Sequence, residues 1–357
     1  MRIVESMSIM KMSINNNNVQ QSKLFLLIIV IYLSFQPLIL NAMNFTVEPI
    51  QITDISDLGE GPYWNDDNQQ LYYVDAFAGY IHRYCPQLNL DEKINLGDLV
   101  TIIISIDNNT NHFIVSLRNK IVNFDWINKT FDVIAECAAE HGGKEHFNDG
   151  KVDAAGRLWI GTVLEGSDGV VKSGGSLYRL DMNEKKFIKM SENFTISNGM
   201  AWNHKNTLMY LNDSEDRKIW LFDFNLNTGT INNRRIFIDL DDNQHSNSFK
   251  SDEYPDGMSI DSNDYLWISM YNGGRIVRID PQTKQVILSI PVPALRTTSL
   301  TFGGKNFDEI YVTTGSNSNQ TDIKNEQEKY PMAGKIFKIK FINNEQIKGL
   351  KAFQFKF

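Results

Sequence analysis

Residues Glu253 to Asp280 read EYPDGMSIDSNDYLWISMYNGGRIVRID. An acid stands before a glycine at Asp256-Gly257, and further on Leu266 opens a short apolar run, LWISM. Gly273-Gly274 follows, and then RIVRID alternates apolar and polar side chains. A period of two puts alternate side chains on opposite faces of a strand, and a Gly-Gly pair between two such runs marks a reversal. The stretch reads as one antiparallel β-module with a carboxylate at its entrance.

The same module recurs along the chain. Glu60-Gly61 precedes LYYVDAFAGYIHRY from Leu71, and HFIVSLRNKIVNFD from His112 has the same two-strand shape. Asn148-Asp149-Gly150 precedes LWIGT from Leu158, then GSLYRLD from Gly175. Asn198-Gly199 precedes LMYLNDSEDRKIWLFDFN from Leu208, and Thr298-Ser299 precedes IYVTTG from Ile310 and GKIFKIKF from Gly334. With the opening stretch this makes six modules. Short strands repeating every ~40 to 60 residues are the signature of a β-propeller. The expected fold is all-β: a six-bladed β-propeller in one domain over residues 44–357. NFTVEPIQI (Asn44 to Ile52) is expected to close the ring against the C-terminal blade, which removes exposed sheet edges. Apolar residues inside the runs, Trp159, Ile160, Tyr210, Trp267 and Ile268 among them, are expected in the core between blades, with Trp126 and Trp220 also packing.

The 357 residues are 42% hydrophobic and 22% charged with a formal net charge of -8, which argues against nucleic acid, since that needs a clustered basic face. Residues 1–42 contain a polar, Asn-rich run and then LFLLIIVIYLSFQPLIL from Leu24. This is expected to be a signal peptide, with an uncleaved anchor as the alternative. Secretion, with no membrane attachment of the mature form, is the matching expectation. Asn44, Asn108, Asn128, Asn193, Asn212 and Asn319 each begin an N-x-S/T triplet, the acceptor pattern for glycosylation. Cys85 and Cys137 are the only cysteines; they could pair in an oxidising compartment or stand unpaired.

In a propeller, the strands nearest the axis bring equivalent positions of different blades together. Glu60, Asn198 and Asp256, with Asn148 and Asp149 from the module between, all precede a glycine or its neighbour at one register. Taken singly, a D-G or N-G pair is more often a turn. Taken together, Glu60 and Asp256 supply two carboxylates, and Asn198 and Asn148 one or two amide oxygens, around a point. Such an all-oxygen set suits one hard divalent cation, Ca²⁺ first, with Mg²⁺ or Mn²⁺ next and Zn²⁺ less natural.

The chain resembles the regucalcin (senescence marker protein) and gluconolactonase family, which includes the luciferin-regenerating enzymes. The resemblance rests on LGEGPYW (Leu58 to Trp64), FNDGKVDAAGRLWIGT (Phe147 to Thr162), ISNGMAW (Ile196 to Trp202), YPDGMSID (Tyr254 to Asp261), LWISMYNGGRIVRIDP (Leu266 to Pro281) and TTSLTFGGKNFDEIYVTT (Thr297 to Thr314). It implies a six-bladed propeller that binds a divalent metal and hydrolyses lactones or related esters. Glu60, Asn198 and Asp256 fall on the family's metal ligands, and Asn148 on its substrate asparagine. Two positions depart. His146 stands where an arginine is usual, and Gly166 matches the place of a substrate-binding glutamate, with Glu165 beside it. The expected activity is metal-dependent lactone hydrolysis by a monomer, with Asp256 as general base and His146, Asn148 and Glu165 toward the substrate. A non-catalytic calcium- or ligand-binding propeller is the competing expectation. A condensing or lyase propeller of the strictosidine-synthase kind fits the oxygen trio less well.

Overall fold

A computed structural model describes residues 44–137, 144–245, 247–316, 323–342 and 347–357. The expectations for residues 1–42, and the acceptor at Asn319, lie outside the described residues. The strands form six sheets, each an antiparallel blade, in a six-bladed β-propeller. The blades span residues 59–95, 103–136, 145–194, 197–239, 254–291 and 296–342. They are numbered 1 to 6 in that order. The strand Asn44–Pro49 joins the last blade beside Phe337–Ile342, so the ring is closed by the beginning of the described chain, as expected. A short helix, Ile323–Lys329, was not foreseen.

Burial explains the apolar runs. A strand sandwiched between neighbouring blades is covered on both faces, so it reads as a continuous hydrophobic stretch. Leu266–Tyr271 is buried almost throughout, whereas the outer strand Val286–Pro291 alternates. Trp159, Ile160, Tyr210, Trp267 and Ile268 are all core residues, as expected. Two blades repeat a buried polar corner between first and second strands. Asp261 accepts hydrogen bonds from Asn263 N, Tyr265 N, Trp267 Nε1 and Arg278 Nε. Asp153 accepts from Ala155 N, Arg157 N, Trp159 Nε1 and Arg157 Nε in the same way. Each buried carboxylate is thus paired and fully hydrogen-bonded, the condition for burying charge.

The first strand of each blade lines the axis: Gly59–Asn65, Ile103–Ile106, Glu145–Val152, Ser197–Trp202, Tyr254–Ile260 and Arg296–Gly303. Beneath the ring, residues 347–357 cross from blade to blade. Lys348 O accepts from Ser262 N in blade 5, and Gly349 N donates to Phe307 O in blade 6. Gln354 reaches Asp67 in blade 1, Phe355 pairs with Ser105 and Asp107 at blade 2, and Lys356 N donates to Gly156 O in blade 3. Leu350 to Phe353 floor a cavity of about 100 Å³ in the lower channel, whose walls include Tyr63, Ile102, Lys151 and Trp202.

No disulfide joins Cys85 and Cys137. The acceptors Asn44, Asn108, Asn128 and Asn193 are exposed. Asn212 is fully buried on the second strand of blade 4, so it is corrected from acceptor to core residue.

Candidate metal centre

The acid-glycine and amide-glycine pairs are not turns. They sit inside the first strands, at bulges. Asn148-Asp149 together face Gly161, Asn198-Gly199 face Asn212, Asp256-Gly257 face Ser269 and Thr298-Ser299 face Thr313. Blade 1 bulges one residue later, at Gly61-Pro62, with Glu60 still paired to Val74. A bulge turns a side chain out of the sheet's regular alternation. Five bulges at nearly one level therefore aim one residue per blade at the axis.

The glycines allow the inner strands to approach. A Cβ on Gly199 would lie 2.3 Å from Met258 N and 2.5 Å from Asp256 O; one on Gly257 would lie 2.0 Å from Ser299 Oγ. Gly61, at φ +52°, has Thr101 O 2.5 Å from the place a Cβ would take. Close approach and positive φ are the two things only glycine supplies cheaply.

The oxygens meet. The Asn198 side chain hydrogen-bonds the Asp256 carboxyl. Burial first, then the charges of Asp256 and Asp149, push the Glu60 carboxyl well above the ordinary range, against a hydrogen bond from Gly61 N. Asp256 is raised by burial and by Asp149, with the Asn198 bond opposing. Asp149 is raised by burial, and Lys151 and Gly150 N counter it. Lys151 donates to Met258 O at 2.6 Å, and burial lowers its ammonium. Three carboxyls thus disfavour one another's ionisation in a poorly solvated place, the condition a cation reverses. Among the described residues no three His, Cys, Asp or Glu side chains form a ligand group by themselves. The donor set that fits a hard cation is mixed: the Glu60 and Asp256 carboxylates with the Asn198 amide.

Asn148 Nδ2 donates to Ser197 O at 3.1 Å, which leaves its carbonyl oxygen available. His146 Nδ1 lies 2.9 Å from Phe147 O, so that nitrogen carries a proton. Its Nε2 faces Glu165 Oε1 at 3.2 Å. Glu165 reaches this place from the second strand of blade 3, which pairs Glu145 with Leu164 and His146 with Val163. Asp149 is named in the sequence among the axial residues but given no role of its own; its charge acts on both candidate ligand carboxylates.

The match to the family model SMP-30/Gluconolactonase/LRE-like region runs over residues 58–316, most of the chain and all six blades' first strands. This chain belongs to that family. A regucalcin of Macaca fascicularis is 33% identical over 285 residues, covering 79% of this chain and 90% of its own length. YvrE of Bacillus subtilis (strain 168), whose name marks it provisionally as a sugar lactone lactonase, is 31% identical over 283 residues, covering 78% and 90%. A luciferin-regenerating enzyme structure superposes with a TM-score of 0.78 at 29% identity, over 88% of this chain and 100% of that one. As a member of the SMP-30/gluconolactonase family, the chain has a lactonase-type relationship. Glu60, His146, Asn148, Glu165, Asn198 and Asp256 all lie inside the matched region.

Proposed function

We propose that this protein hydrolyses lactones at the mouth of the propeller channel, with Glu60, Asn198 and Asp256 holding one divalent cation, Ca²⁺ before Mg²⁺, Mn²⁺ or Zn²⁺. The observation that carries the reading is the convergence of two mutually disfavoured carboxylates and an amide from three separate blades. When bound, the cation supplies a Lewis acid for a carbonyl oxygen and for the negative charge that develops there. Asp256 takes the proton of the attacking water. Asn148 orients the substrate through the oxygen its hydrogen bond to Ser197 leaves free. The His146–Glu165 pair presents an imidazole and a carboxylate side by side, toward hydroxyl or ring oxygens of the substrate.

The second reading is a cation- or ligand-binding propeller without turnover. It is favoured by His146 and Gly166, which replace the arginine and glutamate of the family pattern. Purified protein assayed on gluconolactone and on aryl esters, with and without EDTA, separates the two. Turnover that EDTA removes and added Ca²⁺ restores is expected; cation binding with no turnover on any of them would favour the binder. We further propose that the protein is secreted and glycosylated, in keeping with the exposed acceptors. Glycosidase treatment of protein from the culture medium should then increase its gel mobility, and an unchanged band would count against it.

A further inference from the structure

Each candidate ligand is preceded by a peptide carbonyl that a side chain of the neighbouring blade holds. Ser214 Oγ donates to Pro255 O at 2.8 Å, immediately before Asp256. Thr298 Oγ1 lies 2.6 Å from Gly59 O, immediately before Glu60. Asn148 Nδ2 donates to Ser197 O, immediately before Asn198. Ser214 does more. Its hydroxyl proton is committed to Pro255 O, so its oxygen accepts from Asn198 Nδ2 at 3.0 Å. One side chain thus links the ligand of blade 4 to the ligand-bearing backbone of blade 5. Thr298 also has Thr313 Oγ1 2.9 Å away. A carbonyl can only accept, so the Thr298 proton goes to Gly59 O. Ser214 and Thr298 are both buried.

The distribution is selective. Blade 6 bulges at the same level but carries no candidate ligand, and among the described residues no side chain holds the equivalent carbonyl, Thr297 O. In blades 4 and 5 a bulge interrupts the regular ladder directly after the held carbonyl, so that peptide plane needs another tether. That plane sets the direction in which the next side chain leaves the backbone. Outer partners that orient ligands commonly change metal affinity by ~10- to 100-fold.

We propose that Ser214 and Thr298 are positioning residues of the cation site, fixing the Asp256, Asn198 and Glu60 oxygens before any cation arrives. The inference rests on the metal-site reading above and says nothing of turnover. The test is calcium titration calorimetry on the metal-free full chain, with melting temperatures taken in parallel. Ser214→Ala and Thr298→Val should each weaken Ca²⁺ binding about tenfold. Thr298→Ser, which keeps the hydroxyl, should restore parental affinity. Thr297→Val is the control. Its hydroxyl lies 2.7 Å from Met270 O and 2.9 Å from Arg275 O, tying blade 6 to blade 5 while touching neither a candidate ligand nor the carbonyl before one. That variant should lose stability yet bind Ca²⁺ within about twofold of the parent. Unchanged affinity in Ser214→Ala and Thr298→Val overturns the proposal. So does an affinity loss in Thr297→Val that matches theirs, because the hydroxyls would then be only structural. A parent that binds no divalent cation removes the metal-site reading itself, and the positioning role with it.

Discussion

Blades 2 and 5 have the same topology and opposite characters at the axis. Blade 5 enters as YPDGMSI, bulges at Asp256-Gly257 and delivers a carboxylate. Blade 2 enters as VTIIISI, and its first strand, Ile103–Ile106, pairs regularly at the mouth end and shifts register only between Ser105 and Ile106. Its contribution there is an apolar wall, Ile102 and Ile104, and a backbone carbonyl, Thr101 O, against which Gly61 packs. The ring is therefore chemically lopsided. Oxygen donors come from blades 1, 3, 4 and 5, and blade 2 confines them in a low-dielectric wall that strengthens every charge interaction they make.

The largest effect that would break this contrast is on chemistry. Asp256→Asn keeps an oxygen on the cation but removes the base; lactone turnover should fall at least ~100-fold, with a smaller loss of Ca²⁺ affinity by calorimetry. Full activity in that variant would end the role. Next comes a pH dependence belonging to the site's blades. Burial pushes the Asp213 carboxyl, which accepts bonds from Thr195 N and Ile196 N, up from 3.8 to about 6. Its folded form holds the proton more tightly than the unfolded chain does. Its stabilising contribution is present below the ordinary carboxylate range and is lost as pH rises through about 6. Between those limits the loss is on the order of 3 kcal/mol, and Asp213→Asn should flatten that part of a stability–pH series measured by urea unfolding. A slope equal to the parent's would deny it. Third, Gly199→Ala drives a methyl against Met258 N and Asp256 O, both backbone atoms that cannot swing away. Such overpacking costs ~1–3 kcal/mol, which thermal unfolding would read, together with weaker Ca²⁺ binding. The smallest effect belongs to blade 2. Ile102→Val should cost ~0.5–1.5 kcal/mol and leave cation affinity alone; a changed affinity would show that the apolar wall shapes the donors directly.

The contrast also shows what was legible before any coordinates. The six modules and the Glu60, Asn198 and Asp256 set could be read because bulge and glycine recur at one register, and recurrence separates a site from scattered turns. Blade 2 was assigned as a module from its strands alone, with no donor, and the structure agrees. Other features left no local signal. Ser214 follows an ordinary strand and Thr298 reads only as a module marker, and their role exists only where a neighbouring blade brings a carbonyl to them. The Asn212 triplet satisfies a three-residue pattern, but the pattern carries no information about burial. The His146–Glu165 pair depends on cross-strand register, which a one-residue bulge changes and a linear alignment at Gly166 does not see.

The closure of the ring has a temporal side. Strand Asn44–Pro49 finds its partner only in Phe337–Ile342, and residues 347–357 stitch five blades from below. During synthesis that first strand must wait, unpaired, until nearly three hundred further residues have left the ribosome. An unfinished nascent chain of this protein carries that strand without its partner, the kind of surface that chaperones shield.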